Sequence, residues 1–458
     1  MNHLFIKKKK AISFFSKKLH SIKISIIFLN FFISLSIKAQ VSRQDSLLQQ
    51  VTLKAAVDYA IAHNPLIQRS AIDEEITNAN IKSRLADWYP QVNFNYNLQH
   101  NFILPTNIFS GNPIRAGLNN TSAGQFSASQ LIFNRDVLLA SRTKANVQLQ
   151  SRQATASSKI DLAAAVSKAF YDVLATAQQV RVASENIVRL ERSLQDAYNQ
   201  YKVGLADKID YKRATITLNN IKASKRANEE LVSAKTAYLK SLMGYPESGY
   251  LNIVYDSLQM VNEIVLDTLL TPGYNSRIEY KLLETQRNLL KANVLYNRWS
   301  YLPAVSANGA YNLNFQNNNF GKLYGTSYPN SYAALTLALP IFQGGKRKAN
   351  LQAAELELTQ NDLDISNLKN LVNAEYAQAM AAYKGSLANY LALKDNVSLA
   401  QEVYDVVQLQ YRSGIKTYLE VITSETDLRT SQINFYNALY QVLASKIDVQ
   451  KAMGQINY

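Results

Sequence analysis

No cysteine occurs anywhere in the 458 residues. That excludes disulfides, thiolate nucleophiles, cysteine-ligated zinc and a lipid-modified N-terminal cysteine. Glycine (15) and proline (9) are scarce for the length, so long uninterrupted elements are expected. No proline lies between Pro113 and Pro246, or after Pro340. Beyond residue 40 no stretch holds 18 consecutive apolar residues, so no transmembrane helix is expected there. Beyond residue 40 only His63 and His100 remain, with no second His or Cys at ligand spacing, and no metal or other cofactor is expected. GxGxxG, Walker A, GxSxG and HExxH are all missing, so no catalysis is expected.

Charge is unevenly placed. The chain carries 49 Lys+Arg against 34 Asp+Glu, a net +15. Residues 1–39 hold eight lysines and no acid, so +15 less those eight leaves +7 on residues 40–458. About half of the basic excess therefore sits in one N-terminal segment, which weakens a nucleic-acid reading based on charge. In that segment Lys7–Lys10, Lys17, Lys18 and Lys23 precede the apolar run Ile24–Ile37, and Lys38-Ala39-Gln40 offers a small residue for cleavage. Fourteen residues span about 21 Å as a helix, short of the roughly 30 Å bilayer core. Residues 1–39 read as a cleaved export signal.

The rest is one pattern written twice. Ala79-Asn80-Ile81 and Tyr89-Pro90-Gln91-Val92 recur as Ala292-Asn293-Val294 and Leu302-Pro303-Ala304-Val305, 213 residues on. Tyr201-Lys202-Val203-Gly204 and Met243-Gly244 recur as Tyr411-Arg412-Ser413-Gly414 and Met453-Gly454, 210 residues on. Repeat one covers about 52–244 and repeat two about 270–454. Each reads helix, strand, loop, strand, long helix, turn, helix. The long helices show heptads: Val166, Val173, Val180, Ile187, Leu194 and Tyr201 in the first, Tyr376, Tyr383, Tyr390, Val397, Tyr404 and Tyr411 in the second. That is coiled-coil spacing, over roughly 65 residues or about 100 Å each.

The strands carry the functional signal. Val92, Phe94, Tyr96, Leu98 and Phe102 alternate with Asn93, Asn95, Asn97, Gln99 and Asn101, and Val305, Tyr311, Leu313 and Phe315 alternate with Ser306, Asn308, Asn312, Asn314 and Gln316. Return strands follow in each copy, giving expected strands at about 91–102, 122–133, 304–316 and 331–341. One apolar and one uncharged polar face over 10–12 residues is the pattern of an outer-membrane barrel strand. Trp88, Tyr89, Tyr301, Phe133 and Phe342 sit at the strand–helix junctions, where an interfacial aromatic girdle would lie. Four strands do not close a barrel, and an open edge in lipid leaves backbone groups unsatisfied. The barrel is therefore expected to be shared between chains, with eight, twelve or sixteen strands in all. A periplasmic coiled-coil tether or adapter without a channel is the alternative, and it predicts no strands of membrane length.

With these features the chain resembles the TolC family of outer-membrane efflux channels over essentially all of 50–458. The resemblance rests on the duplicated layout and on two helix turns, Tyr201-Lys202-Val203-Gly204-Leu205 with Asp210 and Tyr411-Arg412-Ser413-Gly414 with Glu420. It implies an α+β membrane protein whose four strands contribute to a twelve-stranded homotrimeric barrel. A helical periplasmic tunnel continues the barrel, and equatorial segments lie at about 40–51 and 245–271. It implies a passive exit duct in the outer membrane, docked on a periplasmic adapter protein and an inner-membrane RND, ABC or MFS transporter, that exports small molecules or polypeptides. It places the adapter-docking tip at Val203, Gly204, Leu205, Ser413, Gly414 and Ile415. It places a periplasmic gate at Asp210, Tyr411, Lys416 and Glu420, with Asp210 in reach of the Tyr411 phenol and the Lys416 ammonium.

Overall fold

The computed structural model describes residues 50–109, 111–254, 257–267 and 273–456. The expected export signal at 1–39 lies outside the described residues. So do 40–49 of the first equatorial segment, parts of the second, and the expected start of repeat two. Among the described residues no helix is long and apolar enough to cross a membrane.

Repeat one opens with α1 (Leu53–His63) and α2 (Pro65–Ala86). Asn64 separates them: its side chain accepts from Leu66 N at 2.8 Å, and Pro65 holds the first helical position, where no backbone donor is needed. Strand β1 (Gln91–His100) follows, then a small hairpin of β2 (Thr106–Phe109) and β3 (Asn112–Arg115), then β4 (Asn120–Phe133). The hairpin falls in a stretch expected to be loop, and it turns through Gly111 at φ +81°. The long helix α3 (Arg135–Lys202) and its return α4 (Lys208–Met243) complete the repeat. A short α5 (Ser257–Glu263) leads to repeat two: α6 (Ile278–Arg298), β5 (Ala304–Asn317), β6 (Asn330–Ala338), α7 (Lys346–Arg412) and α8 (Tyr418–Met453). Strand β6 stops at Ala338, because Pro340 cannot donate to a ladder.

Each long helix is clasped by two short ones placed end to end. Along the first part of α3 lies α2, through Gln148–Asn78 at 2.7 Å and Thr155 to Ser70 O at 3.4 Å. Along the second part lies α4, through Lys222–Glu191 at 2.9 Å and Lys235–Asp172 at 2.8 Å. In repeat two α6 meets α7 through Arg287–Asp362 and Arg298–Glu355, and α8 meets it where the Tyr390 and Phe435 rings lie 5.4 Å apart. The helix ends meet at two matching splices. In repeat one Asn64 Nδ2 donates to Leu242 O at 2.7 Å. In repeat two Arg277, buried to 5%, donates to Ala452 O at 3.1 Å and Lys451 O at 3.2 Å, and Ser276 Oγ donates to Met453 O at 2.8 Å. These donors satisfy the last carbonyls of α4 and α8, which have no partner within their own helices.

The heptads bury along part of their length, while Val180, Ile187, Leu194, Tyr376 and Val397 are half-buried and Tyr201 is exposed. Leu162, Val166, Ala169, Val173, Ala183, Leu190 and Ala197 on α3 are buried, as are Tyr383, Tyr390, Tyr404 and Tyr411 on α7. The tyrosine stripe is packing: Tyr404, Tyr411 and Tyr418 share one apolar cluster with Ala197, Ala214, Val421 and Leu428.

Candidate functional site

The four long strands form one antiparallel sheet in the order β1-β4-β5-β6. Register fixes its two faces. One row runs Asn95–Gln125–Asn312–Asn330, with Asn312 donating to Asn330 at 2.6 Å. Two residues to either side, the rows run Asn93–Ser127–Ala310 and Asn97–Ala123–Asn314. The other face holds Val92, Phe94, Phe126, Tyr311, Leu335 and Leu337. All six are 47% or more exposed, since no helix or second sheet covers them. A soluble sheet buries its apolar face, whereas a sheet that meets lipid leaves it bare. Strands β4 and β5 have 14 residues each, more than the roughly 9–11 that a tilted strand needs to span a bilayer. The register slips once, between Leu131 and Phe133, a bulge at the helix end of the sheet. Strands β1 and β6 each have one edge with no partner among the described residues.

The aromatic residues expected at the junctions lie there. Trp88 and Tyr89 link α2 to β1, and Tyr301 ends a short 3₁₀ turn (Trp299–Tyr301) before β5. Phe133 ends β4 and is half-buried, while Tyr89 (71%) and Phe342 (87%) are well exposed. The Arg347 guanidinium stacks over the Tyr301 ring at 4.8 Å.

At the opposite end of the helices the two turns are built alike. Leu205 N donates to Gln200 O and Gly204 N to Tyr201 O, at 2.9 and 3.0 Å, while Ile415 N donates to Gln410 O and Gly414 N to Tyr411 O, both at 2.9 Å. This is the Schellman closure, which requires a left-handed residue. Gly204 has φ +78° and Gly414 φ +72°. The next helix begins on a side-chain cap in each copy. Asp207 Oδ1 accepts from Ile209 N at 2.8 Å in one, and Thr417 forms a capping box with Glu420 in the other. The closure pushes Val203, Leu205 and Ile415 into solvent at 69, 80 and 72% exposure, with Ser413 beside them.

The expected gate residues meet other partners within one chain. Lys416 Nζ lies 2.5 Å from Glu420 Oε1, an i,i+4 pair that the capping box already positions. That hydrogen bond holds the Glu420 carboxyl below its ordinary range. The Tyr411 hydroxyl donates to Gln200 Oε1 at 3.0 Å, and burial pushes it up to about 12, with Asp210 and Asp196 adding. Asp210 sits in the first turn of α4, its carboxyl raised by burial and by Asp207. So Asp210 acts on Tyr411 through space, and the Lys416 ammonium is bonded to Glu420. Gln200 is a gate neighbour that the sequence reading did not name. Its signal was its place one residue before a heptad tyrosine, at the mouth of the turn.

A sheet with one bare apolar face and one charge-free amide face, continued by about 100 Å of coiled helix, defines a channel-forming subunit of the outer membrane. The profile of the Outer membrane efflux protein family matches residues 56–245 and 282–455, and the chain belongs to that family. Outer membrane protein TolC of Escherichia coli (strain K12) is 20% identical over 429 residues, covering 90% of this chain and 84% of TolC. The Cation efflux system protein CusC of the same organism is 21% identical over 418 residues, covering 88% and 86%. Among solved structures, the outer membrane protein VceC of Vibrio cholerae superimposes with a TM-score of 0.70 at 12% identity, covering 88% of this chain and 96% of VceC. The protein is an outer-membrane efflux channel with a periplasmic helical extension, a passive transport duct and not an enzyme.

Proposed function

We propose that three copies close one twelve-stranded barrel and one helical tunnel, through which cargo leaves the cell passively. The observation that carries this reading is the pair of unpartnered edges on β1 and β6 of a sheet whose outer face is apolar. In lipid those edge groups must pair, and four strands alone leave no lumen. Three times four strands matches the copy number implied by the resemblance to TolC. Residues 1–39 act as the export signal, on the basic run and 14-residue apolar core in the sequence. The Val203-Gly204-Leu205 and Ser413-Gly414-Ile415 turns dock a periplasmic adapter; their exposed apolar side chains at the far end of rigid helices support this. Asp210, Tyr411, Lys416 and Glu420 then surround the mouth and narrow it.

Chemical selectivity lies elsewhere in the assembly. The four strands carry no Asp, Glu, Lys or Arg, so the barrel lumen offers amides, hydroxyls and small apolar side chains but no formal charge. The inner-membrane partner, of the RND, ABC or MFS type, supplies both energy and cargo choice. The sheet's bare apolar face disfavours the tether reading, because a periplasmic tether has no lipid to cover it. Planar-bilayer recording on the purified protein tests the duct. Stable single-channel steps that shift with Asp210→Ala support both pore and gate; bilayers that stay silent would sink the duct.

A further inference from the structure

Each turn ties its helices into a coil pair, α3 with α4 and α7 with α8. The two pairs meet along α3 and α8, whereas α4 and α8 barely touch. Any widening of the periplasmic mouth must part this seam. Polar pairs run along it from the equator to the tip: Lys451–Asp161 at 2.6 Å, Lys168–Asp448 at 2.5 Å, Gln179–Asn437 at 2.8 Å and Ser193–Tyr418 at 3.4 Å. One stretch breaks the pattern. Between the Gln179 and Ser193 rungs lie Asn186, Arg189 and Glu425. Asn186 is fully buried and Glu425 is 4% exposed. Asn186 Nδ2, Arg189 Nε and Glu425 Oε1 are all buried without a hydrogen-bond partner, although Arg189 does donate to Asn186 Oδ1.

We propose that Glu425 is the proton-sensitive latch of this seam: protonated, it lets α3 and α8 pack shut; ionised, it loosens them and favours the open mouth. The proposal rests on the duct reading and deepens it. A neutral carboxyl tolerates a buried site with one oxygen unmatched, and a carboxylate does not. Burial accordingly pushes the Glu425 carboxyl up to about 7, against the opposing pull of Arg189 on α3 and Arg429 on α8 itself. Tyr404 of α7 and Tyr418 of α8 also face it; both phenols are raised, chiefly by burial, and remain neutral near pH 7. The duplication supplies an internal control. Thr215 stands 210 residues earlier, at the matching position of α4, and donates to Tyr211 O of its own helix at 2.8 Å. The matching position of α4 is half-buried and holds no carboxylate, so the duplicated pattern does not itself call for one.

Ionisation in the loosened state at an ordinary 4.5 against about 7 in the closed state sets the reach of the latch. Between pH 5.5 and 8.0 the opening equilibrium should rise by up to about 25-fold per chain. The test is single-channel recording of the full-length wild type, Glu425→Gln and Glu425→Thr at those two values. Hydrogen exchange over 183–200 and 418–428 is followed in parallel. The wild type should open more, and lose protection along the seam relative to the intrinsic exchange rate at each pH, at pH 8.0; both variants should stay closed, with protection factors independent of pH. Variants that keep the wild-type pH profile, or a wild type without one, would overturn the latch. If the wild type carries no current at any pH, the duct reading fails. Exchange then decides the latch alone: pH-dependent protection that Glu425→Gln abolishes upholds it, and uniform protection overturns it.

Discussion

Four glycines with left-handed backbone close the four helices of the duplicated coil, and replacing each with alanine should divide them into two classes. Gly204 and Gly414 lie at the tip, with φ of +78° and +72°; a Cβ on either meets nothing within 4 Å. Alanine there should destabilise by about 1 kcal/mol, the ordinary penalty of a left-handed non-glycine residue. Gly244 and Gly454 lie at the end-to-end splices, with φ of +65° and +68°. A Cβ on Gly244 would stand 2.7 Å from His63 O, and one on Gly454 would stand 2.9 Å from the Ser276 carbonyl carbon. Both obstacles are backbone and cannot swing aside, so the splice must open. Opening it strains the Asn64 bond to Leu242 O, or the Arg277 bonds to Lys451 O and Ala452 O. Adding about 1 kcal/mol per strained hydrogen bond and some lost packing gives a total of about 3 kcal/mol. Heat-induced dissociation of the assembly in detergent, followed by gel mobility and circular dichroism, reads the difference. The Gly244→Ala and Gly454→Ala midpoints should fall at least twice as far as those of Gly204→Ala and Gly414→Ala. Equal shifts at tip and splice would refute the reasoning that close backbone approach, and not φ alone, demands glycine at the splice.

Further outcomes follow from the same geometry. Leu335→Arg on the bare face should cost about 2–4 kcal/mol of insertion near the bilayer midplane and deplete the protein from outer-membrane fractions, while Asn95→Arg, on the amide face, should insert normally and shift reversal potential toward anions. Leu205→Asp combined with Ile415→Asp should leave the assembly intact and abolish co-purification with its adapter. Glu425 binds more protons folded than unfolded, because its carboxyl is raised from 4.5 to about 7. Its contribution is therefore full below about pH 4.5 and declines as pH rises to about 7. The melting midpoint of the wild type relative to Glu425→Gln should drop over that window and stay flat above it.

Much of this fold was legible because two periodicities are long and clean. Alternation along Val92–Leu98 located β1, and the sevenfold spacing from Val166 and from Tyr376 located α3 and α7. The 210-residue offset told which turns match, and all four closing glycines obey it. Less legible was the β2–β3 hairpin, whose two four-residue strands are too short for alternation to register. The splices were invisible too, since they join residues such as Asn64 and Leu242 that lie 178 apart. At the tip, the resemblance implied a contact between Asp210 and Lys416; within one chain a local capping box positions Lys416 against Glu420. Glu425 could have been noticed: it lies on the stripe of Tyr418, Val421 and Leu428, where a carboxylate is out of place.

The shared barrel remains the centre of the account, and its stoichiometry is the most direct test. Native mass spectrometry of the detergent-solubilised particle should give three chains, so that each bare β1 edge pairs with a neighbour's β6. A stable monomer would contradict it, since no single chain can then close the sheet that the apolar face requires.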